Sequence, residues 1–234
     1  MSSEFDAYAL QYDEALEKGL SISGESKEHF ARERVRWTAR RLAELGARPR
    51  RLLDFGCGTG GTGGELLEQL GAEVVVGADV SRKILAIARR DHPDPRLEFR
   101  TIQDVEASGP FDVAYCNGVF HHIEPARRSE ALGLIRRSLG PGGYFAFWEN
   151  NPWNPGTRLV MSRIPFDRDA KLISAPAARR VLVQAGFRPL GTDFLFLFPR
   201  ALAALRPLEA HLVRVPAGAQ YLVLCQKSEW SPLR

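Results

Sequence analysis

The sequence is poor in cysteine and has no pattern that would join the few cysteines it contains. Cys57, Cys116 and Cys225 are the three cysteines among 234 residues, and they lie far apart. An odd number at this spacing excludes a disulfide framework and the paired spacing of a structural zinc site. The first residues also lack a basic segment followed by an apolar one. We therefore expect reduced thiols, no secretion signal and a cytoplasmic location.

Long apolar runs, internal repeats and low-complexity segments are absent from the sequence as well. The longest apolar run, at 194–198, is too short to cross a bilayer, so we expect no membrane partner. Hydrophobic residues make up 44% of the chain and charged residues 26%, which is typical of globular proteins. A chain of 234 residues is long enough for one well-buried domain and short for two. The sequence therefore predicts a single domain over residues 1–234.

Charge of one sign is only slightly in excess. The formal net charge is +4, and much of the positive excess lies between Arg32 and Arg51. Such a basic stretch suits either a nucleic-acid patch or the solvated face of a helix. Glu33 and Glu44 are interleaved with the arginines, and the chain has no room for an added nucleic-acid-binding module. We therefore expect a solvated helix face and no nucleic-acid partner.

Predicted strands and helices alternate along most of the chain. Short apolar runs predict strands at 51–55, 73–78, 97–102, 111–116, 144–148, 193–198 and 220–226. Helical spacing of apolar residues predicts helices at 5–20, 25–45, 63–70, 81–90, 125–139 and 175–185, with Ser81 as an N-cap. This alternation is typical of a mainly parallel sheet with helices on both faces, which binds ligands beyond the carboxyl ends of its strands.

The segment at 150–174 is rich in proline and asparagine and is predicted to be irregular. Connections of this length are often binding loops or lids, so we expect a substrate loop or lid over 151–174. The rest of the domain then divides into a helical cap at 1–48, a cofactor-binding core at 49–150 and a C-terminal part of the sheet at 175–234.

A glycine-rich turn follows the first predicted strand, in the sequence Asp54-Phe55-Gly56-Cys57-Gly58-Thr59-Gly60-Gly61. Glycines let the backbone turn sharply and let a ligand approach closely. Asp79, at the end of the second strand, is placed to accept hydrogen bonds from both hydroxyls of a ribose. Glycines 56, 58 and 61 also satisfy the dinucleotide pattern. Asp54 favours a different ligand, because a carboxylate repels a pyrophosphate and attracts a cationic amino group.

Asp54 and the alternating glycines resemble the first motif of class I S-adenosylmethionine-dependent methyltransferases, Asp/Glu-x-Gly-x-Gly-x-Gly. The resemblance continues in order, with further motifs at 76–81, 102–105, 111–117 and 139–144. Residues 5–13 resemble the N-terminal helix of a small-molecule branch of that class. This branch includes ubiquinone/menaquinone C-methyltransferases and secondary-metabolite methyltransferases.

The resemblance implies a doubly wound, Rossmann-like α/β fold. Its seven-stranded, mainly parallel sheet ends in an antiparallel last strand, with helices on both faces and an N-terminal helical cap. It also implies S-adenosylmethionine as the cofactor and S-adenosylhomocysteine as the product. The cofactor contacts that it implies are Tyr12, Asp54, Gly56, Cys57, Gly58, Gly60, Asp79, Val80, Gln103, Asp104, Val105, Asn117 and His122. Tyr12 would meet the methionine carboxylate, although a helix packed by aromatic residues explains it equally well.

Candidate catalytic residues follow the fourth and fifth predicted strands. Methyl transfer from a sulfonium needs alignment and exclusion of water, and a base only where the acceptor must lose a proton. His121 and His122 are the candidate bases, and Glu149 is a base or a substrate contact. Alternatively, one histidine packs on the cofactor and the other caps a helix, while Glu149 lies in a turn. No further ligands cluster at a recognisable spacing, so we expect no metal.

The acceptor is predicted only as a class. The fourth strand is not followed by the Asp/Asn-Pro-Pro-Tyr/Phe motif, which marks enzymes that methylate adenine N6 or glutamine amides. The sequence therefore favours transfer to an oxygen or carbon of a small molecule. An RNA or protein methyltransferase, a nicotinamide-binding oxidoreductase and a cofactor-binding protein without methyl transfer remain the alternatives. The oligomeric state is left open.

Overall fold

A computed structural model of the chain describes residues 12–167 and 170–229. Its centre is one seven-stranded sheet in the order β3-β2-β1-β4-β5-β7-β6. The strands are β1 (Arg51–Phe55), β2 (Val74–Asp79), β3 (Leu97–Thr101), β4 (Phe111–Asn117), β5 (Leu139–Asn150), β6 (Phe187–Leu195) and β7 (Gln220–Lys227). Neighbouring strands among β1–β5 run parallel, and β7 runs antiparallel between β5 and β6. The predicted sheet, with its antiparallel last strand, is confirmed.

α-Helices alternate with these strands along the described chain. They are α1 (Tyr12–Leu20), α2 (Lys27–Glu44), α3 (Gly63–Leu70), α4 (Arg82–Asp91), α5 (Val105–Ser108), α6 (Arg128–Ser138), α7 (Pro155–Ser162), α8 (Ala175–Gln184) and α9 (Glu209–Leu212). The predicted cap at Ser81 is confirmed, because its Oγ accepts a hydrogen bond from the Ile84 backbone N–H at 3.2 Å. Within the described ranges, no helix is both long and apolar enough to cross a membrane.

The sheet is covered on both faces, and the first strand shows why. Adjacent residues of a strand point to opposite faces. Leu53 packs in a core with residues of α6 and α8, whereas Leu52 packs in a core with residues of α2 and α3. Both leucines are fully buried. The continuous apolar run in β1 is therefore the pattern expected of a strand with helices on either side, and the predicted two-sided cover is confirmed.

Helix α2 is fastened to the sheet by polar contacts as well as by apolar packing. The Trp148 indole N–H donates to the Thr38 hydroxyl at 3.0 Å. The Arg34 guanidinium donates to the Tyr115 hydroxyl at 3.3 Å and to the Gln220 side-chain oxygen at 3.0 Å. Arg34, from the basic stretch, is thus buried and occupied within the fold. Residues 5–11 of the predicted first helix lie outside the described residues.

Two expectations about local structure are wrong, and one segment without a sequence-based assignment is now assigned. The segment after β5 is not irregular throughout, because Asn154 caps α7 by accepting from the Thr157 backbone N–H at 2.9 Å, with Pro155 in the first turn. Strand β6 begins at Phe187 rather than at 193, since a register shift between Pro189 and Gly191 breaks its apolar pattern. Residues 200–212, left unassigned from sequence, form a 3-10 segment and α9.

Candidate functional site

The glycine-rich turn connects β1 to α3 in a backbone shape that only glycine adopts freely. Gly56, Gly58 and Gly60 have φ angles of +76°, +55° and +84°, which are in the left-handed region. A Cβ on Gly56 would lie 2.2 Å from Cγ2 of Val119, so the turn also packs closely against the segment after β4. The Gly56 N–H donates to the Ala78 carbonyl at 2.7 Å, and this bond ties the turn to β2.

Asp79 is the last residue of β2 and holds both loops beside it. Its Oδ2 accepts from the Gly58 backbone N–H at 3.1 Å, and its Oδ1 accepts from the Ser81 backbone N–H at 2.9 Å. The side chain is buried at the carboxyl edge of the sheet. One carboxylate therefore orients the glycine turn and the start of α4 together.

Asp54 places a second buried carboxylate near Asp79. Burial raises the pKa of Asp54, the charge of Asp79 raises it further, and Arg34 lowers it, with a result of about 7. At the end of β4, the side-chain oxygen of Asn117 is buried and has no hydrogen-bond partner among the described residues. The end of the parallel strands thus offers acidic and accepting groups to a ligand that brings cationic and hydrogen-donating ones.

The other predicted cofactor contacts lie at the same edge in different settings. Cys57 is buried, and burial raises the pKa of its thiol. Val80 is 53% exposed. Gln103 and Asp104 are exposed in the short turn after β3, which is followed by the buried Val105 at the start of α5.

The predicted helical cap reaches the glycine turn. The Thr59 hydroxyl donates to Asp13 Oδ1 at 3.2 Å, and Asp13 is also paired with Lys27 at 2.8 Å. The position of Gly19 is so close to Ile164 that a Cβ would lie 2.4 Å from its side chain. Helix α1 therefore touches both the turn and the segment after α7. The side chain of Tyr12 lies outside what the structure describes, so its cofactor contact stays a prediction.

A second polar cluster follows β4 and joins two of the predicted catalytic residues. His121 Nδ1 lies 2.7 Å from Glu149 Oε2. Glu149 is fully buried, and its other oxygen accepts from the backbone N–H groups of Phe120 at 2.7 Å and His121 at 3.3 Å. Glu149 is thus a buried anchor for the histidine segment, with its oxygens engaged inside the protein.

Asp167, which the sequence analysis did not single out, completes this cluster. Its Oδ1 lies 3.5 Å from Nε2 of His121 and 3.2 Å from Nε2 of His122. Burial alone raises the pKa of Asp167, but hydrogen bonds from both imidazoles bring it below the usual range. Burial alone lowers the pKa of His121, but Glu149 and Asp167 outweigh it and raise that pKa to about 10. Both histidines therefore face the same carboxylate instead of pointing to different environments.

Backbone contacts bring Asp167 to the histidines. The Lys171 N–H donates to the His121 carbonyl at 2.8 Å. The Arg128 guanidinium donates to the carbonyls of Ile123, at 3.0 Å, and Lys171. Arg128 thus clamps the segment after β4 to the segment that follows Asp167. No sequence spacing marks Asp167, because its place depends on this long-range clamp.

Comparison with known proteins gives matches over the core of the chain. Residues 53–145 match a family model described as a methyltransferase domain. The chain is 33% identical over 155 residues to trans-aconitate 2-methyltransferase of Methylobacterium nodulans, which covers 64% of this chain and 58% of that protein. It is 33% identical over 138 residues to demethylmenaquinone methyltransferase of Thermus thermophilus, covering 57% and 63%. The chain thus spans about three fifths of the length of these relatives.

Solved structures share the fold. An S-adenosylmethionine-dependent methyltransferase from Archaeoglobus fulgidus superposes with a TM-score of 0.60 at 20% sequence identity, covering 84% of this chain and 94% of that one. At this identity, the likeness concerns the fold alone.

Proposed function

We propose that the protein transfers a methyl group from S-adenosylmethionine to an oxygen or carbon of a small-molecule acceptor, because residues 53–145 match a family model described as a methyltransferase domain. The observation that carries the proposal is the buried pair of acids, Asp54 and Asp79, around a turn of left-handed glycines. Two carboxylates suit a cationic, amino-acid-bearing nucleoside and repel the pyrophosphate of a dinucleotide. The nicotinamide alternative is therefore the weaker one.

The residues of the turn fit S-adenosylmethionine group by group. Asp79 supplies a carboxylate for the ribose hydroxyls, and Asp54 supplies one for the ammonium group. The unpaired oxygen of Asn117 accepts a hydrogen bond from the ligand. When bound, S-adenosylmethionine supplies a methyl group activated by a positive sulfonium. The contacts by Cys57, Val80 and residues 103–105 stay predictions.

The acceptor side is proposed to lie at the ends of β4 and β5. Displacement at a methyl carbon requires the acceptor atom to be aligned behind it and water to be kept out. The cluster of His121, His122 and Glu149 lies beside the glycine turn, since Val119 contacts Gly56. Glu149 positions His121 there. The role of either histidine as a base stays a prediction.

A small acceptor is favoured over RNA by the state of the basic stretch. Arg32 pairs with Glu65 at 3.1 Å, Arg40 with Glu44 at 3.2 Å and Arg50 with Glu73 at 2.6 Å. These ion pairs neutralise charge that a polyanion would need. The relatives named above, whose names give trans-aconitate and demethylmenaquinone as substrates, also point to small molecules.

Calorimetric titration tests the cofactor directly. We expect saturable binding of S-adenosylhomocysteine and S-adenosylmethionine and no binding of NADH. Absence of binding to both sulfur nucleosides would contradict the proposal.

Transfer of a radiolabelled methyl group then tests the reaction. Small polycarboxylic acids and quinols form the first panel, with total RNA as the comparison. We expect label in a small molecule. Tight cofactor binding with label in RNA would support the RNA alternative, and turnover of no acceptor would favour a cofactor-binding protein without transfer.

A further inference from the structure

Three side chains at the end of β4 and after α7 direct potential metal-binding atoms at one point. One potential ligand atom from each of His121, His122 and Asp167 lies within 4.8 Å of those of the other two. We propose that these residues bind a divalent transition-metal ion, with Zn²⁺ as the first candidate. This site goes beyond the proposed methyl transfer, and it departs from the expectation of no metal, which rested on sequence spacing alone.

The distances match the spacing of ligands around one ion. Zinc lies about 2.0–2.1 Å from imidazole nitrogen and prefers tetrahedral coordination, which puts neighbouring ligand atoms roughly 3.3 Å apart. The Asp167 oxygen lies 3.5 Å from His121 Nε2 and 3.2 Å from His122 Nε2. A metal ion would thus fit between these atoms with small movements of the side chains.

Glu149 prepares His121 for this role. The 2.7 Å contact between His121 Nδ1 and Glu149 Oε2 is a hydrogen bond in which the ring N–H donates to the carboxylate. When a metal ion takes the place of the proton on Nε2, the ring keeps its proton on Nδ1 and presents the lone pair of Nε2 to the ion. A carboxylate behind a metal-binding histidine fixes the ring and strengthens its basicity. Two backbone N–H groups, of Phe120 and His121, hold Glu149 in place.

The charges of the cluster suit a divalent ion. Glu149 and Asp167 are both buried carboxylates, and a divalent ion that displaces the proton from Nε2 of His121 would take over the balance of their charge. Among the described residues, Lys171 and Arg128 beside the cluster are engaged elsewhere, because Lys171 Nζ pairs with Glu124 at 2.6 Å and Arg128 donates to backbone carbonyls.

The site has an open side. The His122 side chain is 17% exposed, whereas that of His121 is 2% exposed. Three protein ligands leave a fourth position of a tetrahedral ion for water or another small ligand, as in catalytic zinc sites. This composition, with two imidazoles and one carboxylate, also suits Fe²⁺ and Co²⁺.

Cobalt titration of the untagged protein tests the proposal. After dialysis against EDTA, Co²⁺ is added and the visible absorption of the bound ion is recorded, with Zn²⁺ added later as a competitor. We expect one equivalent of Co²⁺ to bind with the visible bands of a nitrogen- and oxygen-coordinated ion, and Zn²⁺ to displace it. No saturable uptake by the folded protein would overturn the proposal.

Substitutions locate the ion. Asp167→Asn and His122→Gln, each close in size to the original, are expected to weaken binding by at least about tenfold. His211→Ala removes an exposed histidine from α9 and is the matched control, expected to leave affinity unchanged. Circular dichroism checks folding of each variant. Unchanged affinity in both cluster variants would overturn the proposal, and the cluster would then be a hydrogen-bonded ion pair.

The metal-binding test can be separated from the test of the proposed methyl transfer. S-adenosylhomocysteine binding is measured on the same EDTA-treated protein. Nucleoside binding without metal uptake would overturn the metal site alone, and metal uptake without nucleoside binding would contradict the methyl-transfer proposal alone.

Discussion

Two buried acidic clusters lie at the same edge of the sheet, and they differ in how their charge is balanced. Around the glycine turn, burial and repulsion by the charge of Asp79 raise the pKa of Asp54 to about 7. Beside it, the imidazoles of His121 and His122 hold the pKa of Asp167 below its usual range. Among the described residues, Arg34 offsets the charge of the first cluster only in part, whereas the second has imidazole partners within the chain. The comparison indicates that the glycine-turn cluster is suited to a cationic ligand, whose charge can complete the balance.

The largest effect is expected from breaking the internally balanced cluster. Glu149→Gln removes the charge against which the His121 imidazole is buried, and breaking a buried ion pair costs about 3–5 kcal/mol. Urea unfolding should show a loss of this order. Glu98→Gln, at an exposed pair with Arg100, is the control and should change stability by less than about 1 kcal/mol. Equal effects of the two substitutions would mean that the contact between Glu149 and His121 does not stabilise the protein as a buried ion pair.

The next largest effect is expected in the glycine-turn cluster. Asp79→Ala should weaken S-adenosylhomocysteine binding by roughly 100-fold, because charge-assisted hydrogen bonds contribute about 1.5–3 kcal/mol each and the Gly58 and Ser81 N–H groups lose their acceptor. Calorimetry measures the change. Asp91→Ala, which removes an exposed acid from the end of α4, should bind like the original protein. Full affinity in Asp79→Ala would contradict the site assignment.

The pH dependence of cofactor binding sharpens the comparison. The proposed salt bridge to the ligand's ammonium needs an ionised Asp54, and in the free protein this carboxyl takes up a proton as the pH falls below about 7. Affinity for S-adenosylhomocysteine should therefore fall by up to about tenfold per pH unit between pH 7 and 5.5. The Asp54→Asn variant should bind S-adenosylhomocysteine more weakly, and its affinity should be nearly independent of pH over this interval. A flat profile in the original protein would contradict the role of Asp54.

The last prediction concerns stability without ligand. Because the pKa of Asp54 is raised in the folded state from 3.8 to about 7, the folded state binds the extra proton, and stability falls as pH rises across this interval. Asp54→Asn removes the buried charge. It should raise the free energy of unfolding at pH 8 by up to about 4 kcal/mol, since each pKa unit of the shift corresponds to about 1.4 kcal/mol. The gain should vanish near pH 4, and thermal unfolding at the two pH values measures both.

The sequence predicted the glycine-turn cluster well because its parts are local. Asp54 and Asp79 each lie at or near the end of a short apolar strand, and parallel neighbours bring such ends to the same edge. The mainly parallel sheet followed from the alternation of strands and helices, and its antiparallel last strand followed from the family resemblance. The structure adds that Gly56 and Gly58 have left-handed φ angles, which other residues rarely adopt. The sequence alone could only suggest this requirement.

The sequence predicted only part of the second cluster. His121, His122 and Glu149 follow strands and were expected at the edge, but Asp167 lies beyond α7, and Arg128 helps to hold its segment in place through backbone carbonyls. No local pattern encodes such a clamp. Helix α7, in contrast, did carry a readable signal, since Asn154 followed by Pro155 is a common start of a helix.

The position of β7 between β5 and β6 has a consequence for biosynthesis. Strand β6 pairs with β7 alone in the described sheet, so it has no partner until residues 220–227 have left the ribosome. The nascent chain must therefore keep the edge of β5 unpaired while the 69 residues between Asn150 and Gln220 are added, and such open edges invite wrong association. Assembly of this half of the sheet is a late step, and translation must deliver the last strand before the preceding one can dock.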